Sequence, residues 1–99
     1  MKIHVTSDAA NWYKEELGLI DGDNIRFYVR YGGCSSVQKG FSLGISKENP
    51  ENELAGVDVE NLHFYVEDHD GWYFENGTFQ VELNESSEEP NFIVTKDHN

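Results

Sequence analysis

Two stretches with strict two-residue alternation limit this chain most. Ile25-Arg26-Phe27-Tyr28-Val29-Arg30-Tyr31 puts Ile25, Phe27, Val29 and Tyr31 on one side and Arg26, Tyr28 and Arg30 on the other. Phe41, Leu43 and Ile45 alternate in the same way with Ser42 and Gly44. Period-two patterning describes a strand with one buried face. The two runs are expected to pair as an antiparallel hairpin, with Gly32–Lys39 as its connecting loop.

That loop contains Gly33-Cys34-Ser35, and Cys34 is the chain's one cysteine. Glycine lets backbone approach a ligand closely. A thiol in a glycine-rich polar loop is placed for chemistry, whereas a free cysteine elsewhere is often a small buried hydrophobe. The residues alone leave both readings open. If Arg26, Arg30 and Lys39 faced Cys34, they would lower its thiol pKa.

Met1–Val5 is expected as a short first strand. Thr6 then offers a hydroxyl N-cap, with Asp8 in the first turn of a helix from about Ser7 to Leu17 that stops at Gly18. Ala9, Tyr13 and Leu17, with Trp12 alongside, form its apolar stripe. Ser46–Gly56 is expected as a surface connection, and Val57–Glu60 and Leu62–Val66 as strands. Asp68–Gly71 should turn into Trp72-Tyr73-Phe74, three aromatics that cannot all face one side of a strand. Asn76-Gly77 signals a hairpin. Thr78–Leu83 and Asn91–Lys96 are the last strands. The 99 residues are expected to form one domain, mostly β with one N-terminal helix: a small sandwich or distorted barrel of about seven strands.

Charge narrows the function. Residues 1–46 balance five basic against five acidic groups, whereas residues 47–99 hold two lysines and fourteen acids, the whole of the net charge of -12. Nucleic acid and anionic membranes need basic patches, so neither is an expected partner. A solubilising surface, or a docking face for a basic partner or for hard cations, fits better. The absence of an apolar leader and of a long apolar run leads us to expect a cytoplasmic protein in which the thiol stays reduced.

The familiar chemical motifs are missing. His4, His63, His69 and His98 are scattered and make no zinc pattern with Cys34. A looser iron or zinc site would combine Cys34 with a histidine or carboxylate brought near by folding, and His69 is the first candidate. Asp68-His69-Asp70-Gly71 fails the calcium-loop spacing, and Lys39-Gly40 fails the P-loop. No cysteine-hydrolase signature surrounds Cys34, and no C-x-x-C exists. An enzyme is not expected.

Several segments together resemble the HesB-like, A-type iron–sulfur carrier family. Thr6-Ser7-Asp8-Ala9-Ala10 is similar to its opening before the first helix. Gly33-Cys34-Ser35 is similar to its first cysteine element, and Gly40-Phe41-Ser42-Leu43 to the strand that follows. Asp70–Phe74 lies where the family has a short connection before the Asn76-Gly77 turn. Pro90-Asn91-Phe92 resembles its late N-P-N-like segment. The resemblance implies a HesB-like fold and a role in iron–sulfur biogenesis. Iron or a cluster would be held at Cys34, with Gly33 beside it, and the partners would be assembly proteins or apo-protein acceptors. Family carriers use two further cysteines in a C-terminal C-G-C. This chain ends Thr95-Lys96-Asp97-His98-Asn99, so only Cys34 carries over. One thiolate is a poor cage for a cluster, and a homodimer would supply two. The alternative is an acidic protein-interaction adaptor that keeps the fold without cluster binding.

Overall fold

The structure, a computed structural model, describes residues 1–31 and 41–95, without the side chains of Tyr31 and Phe41. Among these residues there are seven strands and one α-helix: β1 (Lys2–Val5), α1 (Ser7–Glu16), β2 (Asn24–Tyr31), β3 (Phe41–Lys47), β4 (Glu53–Val59), β5 (Leu62–Glu67), β6 (Thr78–Leu83) and β7 (Pro90–Thr95). A short 3-10 helix, Asp68–Phe74, follows β5. The strands form two sheets, ordered β1-β6-β7 and β3-β2-β5-β4, which do not close into a barrel. No described helix is long and apolar enough to cross a membrane.

Local chemistry sets the helix. Thr6 has extended backbone, and its hydroxyl accepts from the Ala9 N–H at 3.2 Å. The Leu17 N–H donates to the Tyr13 carbonyl, and Gly18 then takes a φ of +62°, the left-handed conformation that closes a helix. Leu17, expected in the core, lies beyond the last turn and is exposed. Ala9, Ala10 and Tyr13 form the buried face instead.

The expected hairpin is present: β2 and β3 pair antiparallel from Ile25↔Lys47 to Tyr31↔Phe41. Ile25 and Phe27 are fully buried, and Val29, Leu43 and Ile45 pack against the core. Two parallel pairings join the rest, β1 with β6 and β2 with β5. Aromatic rings fill the space between the sheets: Phe27 lies 5.1 Å from Phe79 and 5.9 Å from both Phe64 and Phe92, centroid to centroid.

Two expectations are corrected, and the third segment of interest, the aromatic run, keeps one ring outside as expected. β4 starts at Glu53, within the stretch expected to be a loop, because pairing with β5 outweighs its weak strand propensity. It ends before Glu60 and Asn61, whose φ values of 53° and 61° make a tight connection to β5. Asn76-Gly77 does not join a hairpin. Glu75 and Asn76 are left-handed and end the 3-10 helix, and the strands on either side belong to different sheets. Trp72-Tyr73-Phe74 is helical, with Tyr73 and Phe74 buried and Trp72 exposed.

Candidate functional site

The face of the four-stranded sheet turned away from the core carries the polar chemistry. β2 places Arg26, Tyr28 and Arg30 there, and β5 places His63, Tyr65 and Glu67. A β-carbon at Gly44 of β3 would lie 2.5 Å from the Tyr28 ring, so Tyr28 and Arg30 lie across that strand.

Arg26 is the centre of this face. Its Nη2 pairs with Asp70 Oδ2 at 2.9 Å and lies 2.9 Å from His69 Nε2, while Nη1 is 3.6 Å from Glu48. Its guanidinium lies over the Tyr28 ring, 5.7 Å from the centroid. Asp70 is buried, and buried Arg26 Nε finds no partner among the described residues. The 3-10 helix therefore folds over the outer face and is tied down by an ion pair.

The 48–52 connection is tied down as well. Glu67, 4% exposed, accepts from the Glu51 and Asn52 backbone N–H groups at 2.8 and 2.7 Å. The Tyr65 hydroxyl donates to the Glu48 carbonyl at 2.9 Å. The Glu51 bond foremost, with Asn52, holds the Glu67 carboxyl below the ordinary glutamate pKa.

His63 sits between two carboxylates. Its Nε2 is 2.5 Å from Glu53 and its Nδ1 2.6 Å from Asp58, and the ring stacks on Tyr65. Only the imidazolium donates from both nitrogens. Burial pulls the His63 pKa down, but Glu53 and Asp58 more than offset it and the net shift is upward. The folded chain thus holds this proton more tightly than the unfolded one. The stabilisation is complete below the ordinary value of 6.5 and is lost as pH rises through the raised value. The melting temperature should therefore fall between pH 6 and 9 by more in the wild type than in His63→Gln. Parallel profiles would show that the bracket does not form.

Cys34 and Gly33, the candidate ligands, lie in residues 32–40, outside the described residues, as do Lys39 and His98. The geometry around Cys34 is therefore not described. His69, its first candidate partner, lies against Arg26, and Arg26 is engaged by Asp70. Among the described residues no group of three or more histidines and acids is arranged to hold a metal ion. The chain has one thiol, whereas a cluster normally takes four ligands. Sequence reasoning missed the Arg26–Asp70 pair, the Glu67 clamp and the His63 bracket. Only the buried-face phase of β2 and β5 signalled which polar residues share this surface.

The family model described as iron-sulphur cluster biosynthesis matches residues 1–96. The chain is 48% identical over 92 residues, 93% of its length and 97% of the relative's, to a protein of Bacillus subtilis named pyruvate dehydrogenase inhibitor. It is 38% identical over 85 residues to an uncharacterized protein of Staphylococcus haemolyticus, 83% of this chain and 86% of that one. An uncharacterized protein of Staphylococcus saprophyticus is 33% identical over 97 residues, 95% of this chain and 99% of that one.

Proposed function

Because the chain belongs to the iron-sulphur cluster biosynthesis family, we propose that it uses that family's fold as a protein-binding regulator in the cytoplasm, docking on the pyruvate dehydrogenase complex of its host and inhibiting it. The observation that carries this reading is the 48% identity, over nearly the whole of both chains, to the protein named pyruvate dehydrogenase inhibitor. Two features support it. The charge of the second half suits a basic protein surface. The outer-face residues are engaged with one another, which favours a rigid surface over a reactive centre.

Family membership favours a second reading, in which the one domain carries iron or a cluster as cargo. Cys34 is then the sole thiolate ligand, with Gly33 giving close backbone approach, and a homodimer supplies two thiolates for delivery to assembly proteins or apo-protein acceptors.

One set of proteins tests both. The host's purified pyruvate dehydrogenase complex is titrated with the wild type and with Cys34→Ser, and each is reconstituted anaerobically with iron and sulfide. The expected result is equal inhibition by both proteins and no iron that depends on Cys34. Iron retained by the wild type and lost with inhibition in Cys34→Ser would move the function to the thiol. No inhibition by either protein would overturn the regulatory reading.

A further inference from the structure

Proteins guard the edges of their sheets against stray strands, and three of the four edge strands here carry a guard. β1 is four residues long and starts at Lys2. β7 starts at Pro90, which has no N–H to offer. The β4 ladder is interrupted between Glu53 and Ala55, where Leu54 sits, and the strand carries Glu53 and Asp58. β3 has none of these devices. It runs seven residues in unbroken register with β2, contains no proline, and meets its one charged residue only at its end, Lys47. Among the described residues it pairs with β2 alone, so its other side presents a row of backbone donors and acceptors.

An apolar strip and a cation flank that edge. Leu43 and Ile45 pack against the core but stay partly uncovered. On the opposite side Tyr28 and Arg30 reach over β3: a β-carbon at Gly44 would lie 2.7 Å from both the Tyr28 hydroxyl and Arg30 Cδ. Arg30 is exposed. The acids of this face gather at the other end of β2, where Glu48 and Asp70 hold Arg26. Lys47 is engaged by Asp23 at 3.3 Å. Among the described residues no carboxylate pairs with Arg30.

Charge identifies the occupant. Residues 25–47 hold four basic groups and no acid, in a chain of net charge -12. A second copy paired edge to edge would set Ser42, Gly44 and Ser46 against themselves. It would offer Arg30 no carboxylate from that strand and would place two strongly acidic chains side by side. An incoming strand with acids on its outer side answers Arg30, because a guanidinium pairs with carboxylate in a fixed fork.

We propose that the open edge of β3 is a docking site for an extended segment of a partner protein in which apolar residues alternate with acids. The segment adds a fifth strand to the β3-β2-β5-β4 sheet through its backbone. Its apolar side chains continue the Leu43 and Ile45 strip, and its acids meet the Arg30 guanidinium beside Tyr28. This surface is separate from the acidic second half, and the site does not depend on the regulatory reading.

The test uses isotope-labelled protein and a blocked peptide, Val-Glu-Val-Glu-Val, with Val-Gln-Val-Gln-Val as its neutral counterpart. The acidic peptide should shift the β3 amide signals saturably in NMR, slow hydrogen exchange at alternate β3 residues, and bind at least tenfold more tightly than the neutral one. Arg30→Gln should erase the difference between the two peptides, and Lys2→Gln, at a cation of the other sheet, should leave it unchanged. An added strand bonds to the edge from one side only. Of two acidic peptides N-methylated at alternate residues, one should therefore keep its affinity and the other lose it. Unchanged melting temperatures show that the variants fold. Equal binding of the two peptides to the wild type, or a preference that survives Arg30→Gln, would overturn the acidic occupant. Equal binding of the two N-methylated peptides would overturn strand addition. A dimer in sedimentation that protects the β3 amides without peptide would give the edge to a second copy.

Discussion

Phe27→Ala is expected to destabilise the chain by about 3–5 kcal/mol, the range for deleting a buried phenylalanine ring. Phe27 is fully buried in β2, which pairs with both β3 and β5. Its ring meets Tyr13 of α1, Phe64 of β5, Phe79 of β6 and Phe92 of β7. Truncation therefore opens a void where both sheets and the helix converge. A domain of this size has about 5–15 kcal/mol to lose, so the melting temperature should drop by roughly 12 °C or more. Trp72→Ala removes a larger but half-exposed ring and should cost clearly less than Phe27→Ala. Chemical denaturation of both variants checks the contrast. A loss below about 1 kcal/mol for Phe27→Ala would mean that the sheets do not meet at this ring.

Asp70→Ala is expected to come next, at about 2–3 kcal/mol. Removing one member of a buried ion pair strands the other charge. Arg26 would keep Glu48 at 3.6 Å, which trims the loss but leaves a mostly buried guanidinium short of its closest carboxylate. Removing both charges with Arg26→Met and Asp70→Leu should be milder than Asp70→Ala alone, since an apolar pair strands nothing. A double-mutant cycle by urea denaturation reads the coupling directly. Additive losses would show that Arg26 and Asp70 do not interact.

Those two sites also show how far the sequence can be read. Phe27 was visible as core because alternation in β2 is strict and its inward side is entirely apolar. Thr6 and Gly18 marked the helix ends because hydroxyl capping and left-handed closure are local. Asp70 looked like turn chemistry beside a candidate metal-binding histidine. Its pairing with Arg26 depends on a 3-10 helix returning across the sheet, a tertiary event with no local signature. The same holds for Glu67, which reads as one acid among many until the 48–52 connection lays two N–H groups on it. Asn76-Gly77 misled because its left-handed geometry is real but the two-residue rule presumes strands of one sheet on both sides. Tight turning between β4 and β5 falls instead to Glu60-Asn61, which lacks the glycine that usually announces it. Leu54 gave no signal, because a ladder irregularity is a property of two strands. Cys34 and Gly33 stood out in the sequence, and lie outside the described residues.

The parallel pairing of β1 with β6 has a consequence for how the chain emerges during synthesis. Lys2 is matched to Thr78, so β1 must wait for a strand made well after it. β7, which flanks β6 on the other side, comes later still. At translation speeds of about 5–20 residues per second, β1 passes several seconds with an unpaired edge while the β2–β3 hairpin and its neighbours assemble. Non-local closure of this kind slows folding and leaves strand edges open to wrong partners. Keeping β1 to four residues, two of them the polar Lys2 and His4, limits that exposure in the nascent chain.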